Sequence, residues 1–363
     1  MGKPDFQGGL FGITNSNREG ADLWGKNQFN STFPASLACH MRAQSIDAMY
    51  LCIGPQKKFL NRAISIDEVF GTKTAPDQLY FNFEGRFEDY SNTIYGPLER
   101  VDLVVSRAKK SADHQVVEDK QYRALEVKLT VVPDHTTCKR SETEWGPELV
   151  IRPATSKYCA MSMAANSSLS ARELQKIFVH RLNGVKDWGN EVEALSILPD
   201  AIGCLQEFER ASWKDQIPLV LQPIWKTQGK SPALSEKAFD LFVWSNFGLA
   251  RLICDQAAGS VGTKSIRRPA RSALRLARYF LEFAKSGKPS IDDIYSGMTY
   301  GHQSDKDFAV NGTVTRRYMT NECAYRPRIS RDVVDKIILG AGIENLSPER
   351  RFDQSIYFLK KYD

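Results

Sequence analysis

An α/β fold with helical insertions is what this 363-residue sequence predicts, and three observations predict it. Apolar and β-branched runs of strand length gather between residues 78 and 153, helical periodicities dominate from residue 170 onward, and no internal repeat or clean linker divides the chain. The length allows one elaborated domain or two ordinary ones. With no boundary in sight, a single domain over 1–363 is expected.

Residues 1–32 are rich in Gly, Asn and Ser and read mainly as loop. FPASLACHMRAQSIDAM follows the cap-like Asn30, Ser31 and Thr32 and is predicted helical. QLYFNF (78–83) reads as a strand, followed by Glu84, Glu88, Asp89 and the turn-rich SNTIYGP. The two strongest strands come next, RVDLVVS (100–106) and YRALEVKLTVV (122–132). The charged RAKKSADHQVVEDKQ between them predicts an antiparallel hairpin or a near-adjacent pair. ELVIRP (148–153) adds a strand, and PLVLQPIW (218–225) another, whose Pro223 predicts an edge or a break. Helices are predicted for SARELQKIFVHRL (170–182), for residues 190–213 with Pro199 as an interruption, for SEKAFDLFVWSNFGLARLICDQA and for RPARSALRLARYFLEFAKSG.

The composition, 42% hydrophobic and 25% charged, excludes a disordered tail or a fibre. No apolar run is long enough to cross a bilayer, and MGKPDFQGGL lacks the apolar centre of a signal peptide, so a cytoplasmic protein with no membrane partner is expected. Seven scattered cysteines without a CxxC predict buried thiols, neither a disulfide framework nor a zinc site. The five histidines form no HxH or HExxH, adjacent Cys39 and His40 face different ways on a helix, and no GxxxxGK[ST] occurs. Zinc enzymes, cysteine hydrolases and ATP-driven motors are thereby set aside.

The residues that carry chemistry are Asp102 in ERVDLVV and Glu126, Val127 and Lys128 in YRALEVKLTVV. On a strand alternate side chains share a face, so Glu126 and Lys128 emerge together while Val127 faces the core. An adjacent strand carrying Asp102 would complete a group of two carboxylates and one ammonium. Such a group suits Mg²⁺, a hard cation held by a few carboxylates that keeps several waters and contacts phosphate oxygens. The bland alternative is an exposed ion pair worth about 0–1 kcal/mol.

This arrangement resembles the PD-(D/E)xK nucleases over roughly residues 99–132, with Val101 standing where the signature usually has proline. The opening SNREGADLWGKNQFNSTFPASLACHM, with ERVDLVV and LEVKLTVVPD, is similar to the HindVP-type restriction endonucleases within that superfamily. The resemblance implies a mixed β-sheet core flanked by helices and Mg²⁺-dependent cleavage of duplex DNA at a short palindrome, G-purine-C-G-pyrimidine-C, leaving 5′-phosphate ends. It implies Asp102 and Glu126 as metal ligands with the Val127 carbonyl, Lys128 as the residue that positions water, and a cognate DNA methyltransferase protecting the host. A homodimer matches a palindrome most simply. A repair or structure-selective nuclease and a non-catalytic DNA-binding protein remain as alternatives. Glu84, Glu88 and Glu99 are possible additional acids, none assigned to catalysis.

From Asp255 to Lys285 seven cations face two acids, a local charge of +5 that favours a polyanionic partner. Arg268, Arg271, Arg275 and Arg278 recur at 3, 4 and 3 and would form one basic helical face for DNA phosphates, opposite Leu274, Ala277, Leu281 and Ala284. A solvated helix face is the competing reading. Residues 299–331 mix Gln303, Asn311, Arg326, Arg328 and other base-pairing side chains, so Arg326 and Arg328 are expected to read guanines. The core is therefore expected at about 33–225, with the helical, DNA-contacting part at about 226–363.

Overall fold

The computed structural model describes residues 26–56, 58–72, 79–110, 116–128, 149–227, 234–303, 307–310, 314, 318 and 327–338. In order they form α1 (Lys26–Ala43), β1 (Ala48–Ile53), β2 (Phe59–Ile64), α2 (Ile66–Phe70), β3 (Leu79–Gly85), β4 (Val101–Lys110), β5 (Val116–Val127) and β6 (Leu149–Ile151). There follow α3 (Pro153–Asn166), then α4 (Ala171–Leu174) and α5 (His180–Leu182) joined by a π-helical turn at Gln175–Val179, and α6 (Glu191–Ala211). The chain continues through β7 (Pro218–Thr227), β8 (Leu234–Ser245), α7 (Asn246–Ala257), α8 (Arg268–Ser286), α9 (Ile291–Gly297), β9 (Phe308–Val310), β10 (Ile329–Ser330) and α10 (Arg331–Ile338).

The main sheet runs β2-β1-β8-β7-β5-β4-β3, with β10 also paired to β8, and β6 and β9 make a small second sheet. It is mixed: β1 lies parallel to β8 and β5 parallel to β7, while the remaining pairs are antiparallel. Strand alternation sorts its side chains into two cores. On one face Leu51, Val104, Ala124 and Trp244 pack with Phe178, Phe208 and Phe280 of the helices. On the other, Leu103, Val105, Leu125 and Phe239 meet Phe33, Leu37 and Met41 of α1. The mixed sheet flanked by helices is the predicted architecture.

Several local expectations are corrected. SEKAFDLFVWS is not helical; it forms β8, between β1 and β7 at the centre of the sheet. Its residues Ala238–Ser245 are buried throughout, Asp240 included, and a mostly apolar run covered on both faces carries no period to distinguish strand from helix. The main sheet therefore extends past residue 225, through β8. Ala48 and Met49, the last two residues of the helix expected over FPASLACHMRAQSIDAM, instead open β1, whose six residues are all buried.

Strand β7 is interior, not an edge, despite Pro223. Its described pairing with β5 ends at Val127↔Leu221, two residues before the proline, while its other flank pairs Pro223 with Leu241 of β8. Helix α6 runs through Pro199, against a helix-interior penalty of roughly 3 kcal/mol. Burial of Leu198, Ala201, Leu205 and Phe208 on its inner face offsets that penalty. Helix α3 was not foreseen at all: Thr155–Ala164 are buried all round, so PATSKYCAMSMAAN shows no amphipathic stripe.

Candidate active site

Strands β4 and β5 pair antiparallel with Leu103 opposite Leu125, which brings Asp102 beside Glu126 at the end of the ladder. Both side chains project from the same face as Val104 and Ala124, toward α3. The Asp102 Oδ2 accepts a hydrogen bond from the Val127 N–H at 2.8 Å and lies 3.4 Å from the Lys128 Nζ. The ammonium of Lys128 is also ion-paired with the Glu126 carboxylate. Backbone bonding of Lys128 N–H to the Leu221 carbonyl, 2.9 Å, anchors the end of β5 to β7. Thus the predicted group of Asp102, Glu126, Val127 and Lys128 is gathered at one place.

The exposure of the three side chains is graded: Glu126 at 3%, Lys128 at 14% and Asp102 at 27%. Desolvation pushes the Glu126 carboxyl up to about 7; Lys128 opposes that shift and the neighbouring Asp102 adds to it. For Lys128 burial works downward, yet Glu126 and Asp102 outweigh it and its pKa is raised. Two carboxylates share one ammonium, leaving a net negative charge that is open to solvent on the Asp102 side. Among the described residues no set of three or more His, Cys, Asp or Glu side chains is gathered to hold a metal. The oxygens on offer are two carboxylates, hard donors of the kind that bind a hydrated divalent cation.

Around this group lies a second ring of contacts from α3. Its Thr155 Oγ1 donates to the Glu126 Oε2 at 3.4 Å, Lys157 is ion-paired with Glu99 and, at 2.7 Å, with Asp292, and the Tyr158 hydroxyl donates to the Arg100 carbonyl. The Tyr158 pKa is raised, first by burial and then by Glu126, Glu99, Asp102 and Glu84. Of the extra acids, Glu99 is thus spent on Lys157, and Glu88 is exposed. Glu84 lies on β3 between the pairs Phe83↔Leu103 and Gly85↔Val101, which sets it across from Asp102 with a left-handed φ of 53°. Gly85 beside it is required by close approach: a Cβ there would stand 3.0 Å from Val104 Cγ2. Thr155 and Lys157 escaped the sequence reading because α3 did; the Pro153 at its first turn was the available signal.

A model of the HindVP restriction endonuclease family matches residues 24–362. The chain belongs to the HindVP restriction endonuclease family. Relatives of this HindVP-family chain include "Type II restriction enzyme HgiDI" of Herpetosiphon aurantiacus, 38% identical over 96% of this chain and 95% of the relative. Another, "Probable type II restriction enzyme HindVP" of Haemophilus influenzae, is 33% identical over 96% of this chain and 92% of the relative. No solved structure matches the chain. As a member of the HindVP family it is a type II restriction endonuclease, an enzyme acting site-specifically on DNA. Among the described residues no helix is long and apolar enough to cross a membrane.

The expected basic stripe of this HindVP-family enzyme needs correction. Arg271 and Arg275 are fully buried, so they do not form a face for phosphates. Residues 291–303 and Asp307 cover them: Arg271 Nη2 pairs with Asp307 Oδ1 at 2.9 Å and its Nη1 donates to the Gln303 carbonyl at 3.1 Å. Arg275 Nη2 donates to the Tyr295 carbonyl at 2.7 Å, with its guanidinium over the Tyr295 ring. Arg278 pairs with Glu282 four residues on, at 2.8 Å, and Arg268 is half-buried. Arg328 is held bidentately by the buried Asp240, both contacts 2.8 Å, which ties its fork to the centre of β8. Arg326 lies outside the described residues. Cys39 is buried, and that burial pushes its thiol up to about 12.

Proposed function

We propose that this chain hydrolyses phosphodiester bonds of duplex DNA with Mg²⁺, at a short palindrome of the form G-purine-C-G-pyrimidine-C, through Asp102, Glu126 and Lys128. The observation that carries this reading is the meeting of two carboxylates and one lysine across β4 and β5, in a chain of the HindVP family. The donor set fits the cation: both ligating groups are carboxylates, the Val127 carbonyl is adjacent, and the local charge is negative. Bound there, Mg²⁺ would polarise the scissile phosphate and offset the charge developing on it.

Asp102 and Glu126 hold the cation, and the buried position of Glu126 makes its carboxylate gain by acquiring a cationic partner. Lys128, already directed at both carboxylates, orients the attacking water in line with the leaving oxygen and steadies the developing negative charge. The products are 5′-phosphate and 3′-hydroxyl ends. A homodimer supplies one such site to each strand of a palindrome, and a cognate methyltransferase protects host sites. Arg268 and Arg278, both half-buried, keep partial exposure for a phosphate, and Arg326 is retained as a guanine reader.

Digestion of a DNA of known sequence, with Mg²⁺ and with EDTA, and mapping of the ends tests this. Discrete fragments with 5′-phosphates at one palindrome, absent in EDTA, are expected. Full cleavage at verified metal depletion would overturn the metal role, and fragments confined to mismatches or flaps would overturn the site-specific one.

A further inference from the structure

We infer that α3 is a positioning relay for Glu126, in which Thr155 fixes the carboxylate and Ser156, clamped by Tyr295 and Asp307, fixes Thr155. This rests on the catalytic role proposed for Glu126 and adds residues that no strand of the nuclease motif contains.

Glu126 is almost wholly buried, and its Oε2 serves both the Lys128 ammonium and the Thr155 hydroxyl. A lysine on four rotatable carbons restrains a carboxylate loosely. A threonine on a buried helix is different: its χ1 is confined by branching and its backbone by the turn around it. Thr155 therefore adds to the Lys128 ion pair a second contact, at 3.4 Å, from a different element of the fold. Its own place depends on the next residue, because successive residues of a rigid turn move together.

Ser156 is held from three directions. Its Oγ lies 2.8 Å from the Tyr295 hydroxyl, 3.0 Å from the Pro153 carbonyl and 3.4 Å from Asp307 Oδ2. Asp307 in turn is fixed by Arg271 at 2.9 Å and, at 3.5 Å, by Arg275, all three side chains excluded from solvent. Arg271 also donates to the Gln303 carbonyl, and Arg268 Nη1 reaches the Asp307 carbonyl at 3.4 Å. The arginines that the sequence offered to DNA phosphates thus fasten Gln303 and Asp307, in the segment expected to read bases, onto α8, and Asp307 carries that contact on to Ser156 of the helix that touches Glu126. Lys157, next along, repeats the logic by tying Glu99 and Asp292 to the same turn and lying 5.3 Å from the centre of the Tyr295 ring. A displacement of this segment on DNA would reach the carboxylate through two adjoining residues.

The test is single-turnover and steady-state cleavage of a plasmid by the full chain carrying Thr155→Val, Thr155→Ser, Ser156→Ala, the double Thr155→Val/Ser156→Ala, or Glu126→Gln. Ser156→Ala is chosen over a change at Asp307 because it removes one hydroxyl without stranding two buried guanidiniums. Thr155→Val should lower kcat about 10- to 100-fold with KM within about twofold, as misplacement of a reacting group does. Ser156→Ala alone should lower kcat by about 3- to 30-fold, and a wild-type kcat there would overturn its part in the relay; Thr155→Ser should restore kcat to within about threefold, and the double variant should be no slower than Thr155→Val, since both act along one path. Wild-type kcat in Thr155→Val, a serine variant as slow as the valine one, or multiplying losses in the double variant would each overturn the relay. Glu126→Gln separates the two failures: if it cleaves normally the catalytic assignment has failed, and if it is inactive while Thr155→Val is normal only the relay has.

Discussion

Two charge clusters in this molecule have opposite stoichiometry and opposite fates. At the ends of β4 and β5 two carboxylates share one ammonium, and Asp102 and Lys128 still reach solvent at 27% and 14%. Beneath α9 two guanidiniums share one carboxylate, and Arg271, Arg275 and Asp307 are all at 0%. The first has an unbalanced negative charge with an open side, as the proposed cation site requires. The second has an unbalanced positive charge with no open side, so the chain answers it with the Tyr295, Thr299 and Gln303 carbonyls and the Tyr295 ring. Sign of charge alone does not mark a binding surface; the presence of a free side does.

The largest effect expected from this comparison is in the open cluster. Lys128→Ala and Asp102→Asn should retain specific DNA binding and lose cleavage by about 10³-fold or more, because contacts made in the transition state add little to ground-state affinity. Gel-shift titrations beside single-turnover rates measure both, and a wild-type rate in either variant would show that chemistry resides elsewhere.

The closed cluster should respond in stability instead. Asp307→Ala leaves two buried guanidiniums without their carboxylate and should destabilise the fold by about 3–5 kcal/mol in urea unfolding. Arg271→Ala should likewise lower the unfolding midpoint while leaving the salt slope of DNA binding unchanged. A lowered salt slope with an unchanged midpoint would return Arg271 to the phosphate surface.

A third expectation concerns pH. The folded-state pKa of Glu126 is raised from 4.5 to about 7, so between those values the folded chain binds more protons than the unfolded one. The Glu126 contribution to stability therefore falls as pH rises through that window. In EDTA, Glu126→Gln should flatten part of the decline in unfolding free energy between about pH 4.5 and pH 7, and Mg²⁺ should stabilise the wild type more at the upper end. An identical pH slope in the glutamine variant would remove the basis for this expectation. The smallest effect is at Arg268, where replacement by Ala should reduce the salt dependence of binding by about one counterion without altering sequence preference.

Legibility from sequence followed locality. RVDLVVS and LEVK are strands whose alternation is a property of a few consecutive residues, so the shared face of Glu126 and Lys128, and the meeting with Asp102 on a neighbouring strand, could be reasoned from the chain alone. Helix α8 was equally legible, because Leu274, Ala277, Leu281 and Ala284 recur at helical spacing. Strand β8 and helix α3 were not, since burial on every side removes the contrast between polar and apolar faces on which periodicity depends.

By itself, then, the sequence determined which residues could share a face, where the carboxylates and lysine of the site stand in the chain, and which family the chain resembles. What surrounds each face was decided only by tertiary structure. The contacts in question join residues far apart in the chain: Thr155 is 29 positions from Glu126, Asp307 is 36 from Arg271, and Arg328 is 88 from Asp240. A helical stripe of arginines is the same local pattern whether water or a later segment lies over it. Once residues 291–303 and Asp307 fold across α8, desolvation obliges each buried guanidinium there to find a partner within the protein, and a surface becomes an interior.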